Sequence, residues 1–240
     1  MTAPAVLLPG WGIRRKVNAA TRTLRDLTRI YLCRRYLILF YILLLTMVAG
    51  PVLSVLKLSG TLIELLLAAS LLAAIMPLNA ARNRRSLLVL LVAVWLARPV
   101  TAWLEHRVLS AITLVIWTLI GLLAAAAALR FAMGARKVDS EHLYAALNAY
   151  LLAGIYFGLL YWVLEEMNPG TFTATGDFSR TSAIYFSFVT LATLGYGDIA
   201  PRADVARGLA VVEGVGGQLF LAVLVARLVS LYSTSENQSS

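Results

Sequence analysis

Long apolar runs without charged residues constrain this chain more than any other feature. The hydrocarbon core of a bilayer is about 30 Å thick, and a helix crosses it with about 20 consecutive apolar residues. Several runs in this sequence approach that length, and 60% of all residues are hydrophobic whereas only 14% are charged. Because a soluble domain exposes more charge than this, the sequence predicts an all-α protein that crosses a membrane several times.

Six of these runs have the length and composition of membrane helices. We expect Gly50-Pro51 to bend the first of them and Arg98-Pro99 to interrupt the third, because proline removes a helical hydrogen bond. The predicted helices are residues 36–56, 61–78, 86–104, 108–129, 143–164 and 205–232.

The basic residues indicate how these helices are oriented. Most of the 21 lysines and arginines lie in segments that this topology places on one side of the membrane. Such an excess marks the cytoplasmic side, so both termini are expected in the cytoplasm. Basic clusters at helix ends attract anionic lipid, which accounts for the net charge of +9 without nucleic acid as a partner. The expected location is the cell membrane.

The first 35 residues form a basic cytoplasmic segment in this prediction. They lack the apolar core of a secretory signal, and apolar residues recur at helical spacing from Val17 to Tyr31. That pattern fits a helix lying in the membrane interface. It also fits a simple extension of the first membrane helix, and the sequence leaves both alternatives open.

The stretch between the fifth and sixth predicted helices is not an ordinary loop. Residues 181–192 are too few to cross the bilayer and too apolar for a surface loop. A short helix that enters the membrane and is buried in protein satisfies both conditions. It leads into Thr193-Leu194-Gly195-Tyr196-Gly197-Asp198, where two glycines permit backbone conformations that other L-residues avoid. Carbonyl oxygens can then point inward and replace the water around an ion.

This hexapeptide closely resembles the selectivity filter of the potassium channel superfamily, with Leu194 where valine is usual. The resemblance covers residues 143–232, because outer helix, pore helix, filter and glycine-bearing inner helix follow in the expected order. It implies K+ as the permeant ion, coordinated by Thr193 through hydroxyl and carbonyl and by the carbonyls of Leu194, Gly195 and Tyr196. It also implies a homotetramer, because one chain brings one filter strand and an ion must be surrounded.

Four neighbouring residues support the filter in this interpretation. Gly197 and Asp198 complete its outer end. Val189 lies four residues before Thr193, where some relatives have an acid that pairs with the aspartate, and valine cannot replace that acid. The hydroxyl of Tyr185 can reach Asp198 instead, and plain aromatic packing of Tyr185 is the alternative.

Two residues of the sixth helix are candidates for gating. Gly217 stands where related channels have a hinge glycine, although close helix packing explains a glycine equally well. Of the residues in the sixth helix, Glu213 has the highest free-energy cost of insertion into the membrane. We therefore expect it to hydrogen-bond to the pore helix or to face water. Protonation of Glu213 is one candidate input to gating.

The expected architecture is six transmembrane helices, with a re-entrant pore helix and selectivity filter between helices five and six. Residues 1–35 are the basic segment, 36–137 a four-helix domain without voltage-sensor charges, 138–232 the pore domain and 233–240 a polar tail. The expected function is passive, potassium-selective conduction. The alternative is a non-conducting pore-like subunit for assembly or for sensing lipids or partners. An enzyme is not expected, because no nucleophile–base arrangement or metal set is evident.

The fourth predicted helix, residues 108–129, lacks the regularly spaced arginines or lysines of a voltage sensor. Each gating charge contributes about 2.3 kcal/mol per 100 mV, so a helix without such charges gains little from a change in voltage. We therefore predict a shallow conductance–voltage curve in symmetric potassium. A steep curve would contradict the prediction.

Overall fold

The computed structural model describes residues 34–55, 67–69, 71, 86, 89, 91–97, 107–134 and 140–236. Within these ranges the chain is mainly helical, with one short β-ribbon. The elements in chain order are α1 (Arg35–Val55), α2 (Arg107–Gly134), α3 (Ser140–Met167), β1 (Phe172–Ala174), α4 (Arg180–Leu191), β2 (Ile199–Pro201) and α5 (Asp204–Glu236).

Much of the predicted second and third membrane helices lies outside the described residues. The described parts of both segments are helical, including residues 91–97. The basic segment up to residue 33, the Arg98-Pro99 interruption and residues 237–240 also lie outside. The count of six membrane helices therefore stays a prediction.

Among the described residues, three helices are long and apolar enough to cross a membrane, in the ranges Val108–Gly134, Ser140–Met167 and Asp204–Ser230. They correspond to the predicted fourth, fifth and sixth helices. The prediction of a helical membrane protein is confirmed at this level. α1 contributes a shorter apolar helix, Arg35–Ala49, and its helical backbone continues through Gly50-Pro51 to Val55.

The end of α2 differs most from its prediction, because the helix continues five residues past position 129 to Gly134. The sequence alone suggests a stop at Arg130. Phe131, Ala132 and Met133 follow that arginine, and these residues have no feature that breaks a helix. Since a single arginine near a helix end reaches the interface with its long side chain, the charge need not mark the terminus.

α3 is the central helix of the described structure and packs against α1, α2, α4 and α5. Its alanines and leucines favour a helix, and Asn168-Pro169-Gly170 ends it, with Gly170 at a φ of 90°. Leu152, Ile155, Tyr156 and Leu159 of α3 are almost fully buried. The core of the described residues therefore lies around α3.

Two polar contacts fix α1 against α3. The Asn148 side-chain amide donates to the Tyr36 carbonyl at 2.7 Å, and the Tyr36 amide donates to the Glu141 carboxylate at 3.2 Å. The latter contact pairs an N–H of the first turn of α1, which has no partner within its own helix. The first membrane helix is thus bonded to the helix that also contacts the pore region.

A two-stranded antiparallel ribbon connects the segment after α3 with the segment after the filter. Its register pairs Phe172 with Pro201 and Ala174 with Ile199. The Glu165 carboxylate accepts from the amides of Gly170 and Phe172, at 2.8 and 2.9 Å, and so holds the chain where α3 ends. The sequence analysis assigns no strands to these residues, and the ribbon is a finding of the structure.

Glycine is required where α4 crosses α3. A Cβ added at Gly158 would lie 2.5 Å from the Ile184 Cα atom, and backbone cannot move aside as a side chain can. A Cβ added at Gly154 would lie 2.5 Å from the Phe188 ring. The two glycines of α3 therefore set how closely the short helix approaches.

We predict that Gly158→Ala destabilises the protein by about 1–3 kcal/mol, the usual cost of overpacking a filled interior. Gly134→Ala is the matched control, because nothing lies within 4 Å of the added Cβ there. The midpoint of thermal unfolding in detergent, followed by circular dichroism, measures both. Equal midpoints for the two variants would contradict the close approach.

Candidate ion-conduction site

The short helix α4 ends where the candidate filter begins. Ser179 precedes it with extended backbone, and the Ser179 hydroxyl accepts from the Ser182 amide at 3.2 Å, a standard N-cap. The helix has 12 residues, hence a length of about 18 Å, which is less than the hydrocarbon thickness. Its carboxyl end carries the negative end of the helix dipole, which favours a cation nearby.

The chain turns sharply from α4 into the candidate filter. The Thr193 amide donates to the Thr190 carbonyl at 3.0 Å, and the Leu194 amide donates to the Val189 carbonyl at 2.9 Å. These bonds satisfy carbonyls at the end of the helix that would otherwise lack partners. Val189 itself is buried, and this backbone contact is its link to the filter.

The backbone of the candidate filter alternates between positive and negative φ. φ is 55° at Thr193, 62° at Gly195 and 78° at Gly197, whereas Leu194 and Tyr196 keep the ordinary negative sign. A positive φ at a β-branched residue such as threonine is a rare, strained conformation. Such strain persists where the surroundings impose it and is concentrated at functional sites.

This alternation has a direct chemical consequence. In regular extended chain, successive peptide groups point in opposite directions. Reversing the sign of φ at every second residue allows consecutive carbonyl oxygens to turn toward the same side, as a row of carbonyl ligands for a dehydrated cation requires. Nothing lies within 4 Å of a Cβ added at Gly195 or Gly197, so the need for glycine there is conformational rather than steric.

The side chains of the candidate filter are uncovered in a single chain. Leu194 is 56% exposed and Tyr196 is 66% exposed, although both are large and apolar or aromatic. The Thr193 hydroxyl accepts from the Gln218 side-chain amide at 3.3 Å. Gln218 is a functional candidate that the sequence motif alone does not indicate. The signal for it is a lone amide side chain next to Gly217 in a mainly apolar helix.

Tyr185 and Asp198 form a hydrogen bond beside the filter. The Tyr185 hydroxyl donates to the Asp198 carboxylate at 2.9 Å, and the Tyr185 ring stacks on Tyr196 at 6.3 Å between centroids. The tyrosine hydroxyl is the donor of this bond, because a carboxylate can only accept. Both alternatives from the sequence, the hydrogen bond and aromatic packing, are present together.

Glu213 lies buried between three helices, only 2% exposed. The Tyr161 hydroxyl of α3 donates to its Oε2 at 2.6 Å, and the Ser187 hydroxyl of α4 is in hydrogen-bond contact with its Oε1. A contact between Glu213 and the pore helix is what the sequence leads us to expect. Tyr161 is an additional partner that the sequence does not indicate, because it lies 52 residues away.

Gly217 packs against the end of α4. A Cβ added there would lie 2.6 Å from the Leu191 carbonyl oxygen and 2.8 Å from the Leu191 Cδ1 atom. The helix α5 is unbroken through this position. Close packing is therefore a sufficient reason for glycine at this position, and a hinge at Gly217 stays a prediction.

Among the residues that the structure describes, no group of three or more His, Cys, Asp or Glu side chains could hold a metal ion.

Comparison with known proteins places the same segment among channels. Residues 149–234 match the family model described as Ion channel. The chain is 33% identical over 88 residues to the inward rectifier potassium channel Kirbac3.1 of Paramagnetospirillum magnetotacticum, covering 35% of this chain and 27% of that protein. It is 35% identical over 91 residues to two pore potassium channel c of Oryza sativa subsp. japonica, covering 37% of this chain and 18% of that protein.

A third relative is Protein LctB of Bacillus caldotenax, 27% identical over 100 residues, which cover 39% of this chain and 74% of that protein. No solved structure matches. The chain spans about a quarter or less of the length of the two potassium channels that it matches.

The three long apolar helices indicate a membrane protein, and the match of residues 149–234 to the family model gives this protein a segment similar to ion channels. The resemblance of this segment to the potassium channel superfamily, first evident in the filter motif, is confirmed by the two potassium channel relatives.

We predict that Tyr185→Phe changes the rate at which current decays under sustained activation. The variant keeps the ring that stacks on Tyr196 and loses the hydrogen bond to Asp198, so this aspartate beside the candidate filter is no longer held by Tyr185. Tyr144→Phe, the same change far from the filter, is the control. A double-mutant cycle with Asp198→Asn should show coupling between the two side chains. An unchanged decay rate would contradict a role for this bond.

Proposed function

We propose that this protein is a potassium-selective channel that conducts K+ passively across a membrane. The observation that carries the proposal is the alternating backbone of Thr193, Gly195 and Gly197, directly after a helix too short to cross the bilayer. This arrangement allows a row of carbonyl oxygens to replace the hydration shell of a cation. Leu194 and Tyr196 contribute carbonyls in the same row.

A homotetramer is part of this proposal. Only 11% of the apolar window of α5 is buried within one chain, against 50% and 56% for the windows of α2 and α3. Leu194 and Tyr196, two large residues of the candidate filter, also have exposed side chains within one chain. Four copies around an axis would cover these side chains and surround the ion with carbonyls.

The proposal includes six transmembrane helices in each chain, with a pore domain of residues 138–232 after a four-helix domain of residues 36–137. Conduction depends only weakly on voltage in this proposal. In support, α2 carries Arg107 and Arg130 near its two ends and no charged residue between them. Both termini lie in the cytoplasm of a cell membrane, and the basic residues of segment 1–35 face anionic lipid.

Flux from liposomes tests selective conduction. Full-length protein, reconstituted as the assembly that native mass measurement identifies, should pass K+ and exclude Na+. We predict that Gly195→Ala abolishes the flux, since alanine at a φ of 62° costs about 1–2 kcal/mol and distorts the row of carbonyls. Tyr196→Ala should abolish it as well.

Gly176→Ala is the matched control, because that glycine lies in a loop with no positive φ and with nothing within 4 Å of an added Cβ. Its flux should equal that of the unmodified protein. An assembled tetramer that passes no K+ would contradict conduction and support the non-conducting subunit. Flux that persists in Gly195→Ala would contradict the assignment of the filter.

A further inference from the structure

The buried carboxyl of Glu213 connects three helices through an unbroken row of contacts. Tyr161 of α3 contacts one carboxyl oxygen, and Ser187 of α4 contacts the other. The Ser187 hydroxyl is also 2.6 Å from the Gly154 carbonyl oxygen of α3. Three short oxygen–oxygen contacts therefore lie in sequence, from Tyr161 through Glu213 and Ser187 to Gly154.

Counting protons along this row indicates the charge state of Glu213. Each short contact between two oxygens needs one proton, and the Gly154 carbonyl can only accept. Tyr161 and Ser187 bring one proton each, so an ionised Glu213 leaves three contacts with two protons. A neutral carboxylic acid brings the third proton. Glu213 then donates to Ser187, Ser187 donates to Gly154, and Tyr161 donates to Glu213.

The surroundings of Glu213 agree with a neutral acid. The titratable groups that face it come from α3, namely Tyr161 and also Tyr150, which lines a cavity with Glu213. From α4 it meets Ser187, which does not titrate in this range. Within the described part of the chain, no arginine, lysine or histidine pairs with Glu213. An unpaired carboxylate buried among membrane helices is costly, and such a group instead becomes neutral.

We propose that Glu213 is a protonated positioning residue, whose acid proton bonds the inner helix α5 to the pore helix α4 at Ser187. The positions of the two bonded residues show which parts of the helices are held together. Ser187 lies on α4, about two turns before Thr193 of the candidate filter. Glu213 lies on α5, one turn before Gly217, and Gly217 packs on the end of α4. The acid proton therefore holds both helices together behind the filter.

Raising the pH removes this proton. Glu213 lines a cavity of about 400 Å³ together with residues of α2, α3 and α4. All three contacts of the row carry a proton while Glu213 is neutral. As the pH rises through its titration, two protons remain for three contacts, and the row is broken because the Ser187 hydroxyl cannot donate to the carboxylate and to the Gly154 carbonyl at once. We therefore expect K+ flux to change at alkaline pH, an expectation that rests on the proposed channel function. The protonation state itself does not rest on it.

Infrared spectroscopy of the full-length protein in membranes tests the protonation state directly. A protonated carboxylic acid has a carbonyl stretching band apart from the carboxylate and amide bands. We expect one such band at neutral pH that is absent in Glu213→Gln. Asp204→Asn is the control on the same helix, because the Asp204 side chain is 99% exposed and should contribute no such band. Loss of carboxylate intensity alone in Glu213→Gln would overturn the proposal.

Flux at several pH values tests the positioning role. The amide of Glu213→Gln is neutral at every pH, donates to Ser187 and accepts from Tyr161, so this variant should lose the alkaline change in flux. A merely structural role would leave the pH profile as it was. An alkaline response of the flux that is unaltered in Glu213→Gln would overturn the positioning role. Absence of flux in the unmodified protein would contradict the channel function. The infrared measurement would then still decide the protonation state of Glu213.

Ser187→Ala provides a second variant should Glu213→Gln fail to assemble. Removing the serine hydroxyl takes away the acceptor of the acid proton, so the acid band should shift or disappear. An acid band that is identical in Ser187→Ala and in the unmodified protein would overturn the proposed bond.

Discussion

The close approach of α4 to α3 is the interaction on which the rest of the candidate site depends. A helix of 12 residues is marginal on its own and needs tertiary contacts to persist. Gly154 and Gly158 of α3 supply the space, because side chains at these positions would meet Phe188 and Ile184. The position of α4 in turn fixes where its carboxyl end lies, and hence where the candidate filter begins.

Hydrogen bonds also fix the position of α4, in addition to its close packing against the glycines of α3. The Ser187 hydroxyl reaches the Gly154 carbonyl, and the Tyr161–Glu213 pair links that point to α5. Between apolar helices a hydrogen bond is directional, whereas van der Waals packing tolerates small shifts. The β-ribbon of Phe172–Ala174 with Ile199–Pro201 closes the other side, so the segment 175–198 is held at both of its ends.

Local features of the sequence predict local features of this structure well. α4 lies within one residue of the predicted pore helix at each end, because the length of the apolar run can be read from the sequence. The conformational demand at Gly195 and Gly197 is equally local, since only glycine adopts positive φ without strain. For Tyr185 the sequence leaves a hydrogen bond to Asp198 and plain aromatic packing open, and the structure contains both contacts.

Contacts between distant segments are less accessible to sequence reasoning. Tyr161 and Glu213 are 52 residues apart, and neither residue type nor spacing selects this tyrosine among the many in α3. The ribbon pairs two segments of three residues each, too short for an alternating pattern to appear. Gln218 contacts Thr193 only because the packing of α5 on α4 brings them together.

The glycines of α5 show how packing and conformation can be separated. A Cβ at Gly217 would collide with Leu191, so the cost of about 1 kcal/mol that glycine imposes on a helix is offset there by close packing. Gly216, its neighbour, has nothing within 4 Å of an added Cβ. Within the described part of the chain, no contact requires a glycine at 216. In the proposed tetramer the exposed part of α5 faces other copies and the ion pathway, and a small residue there leaves space for a second copy to approach closely.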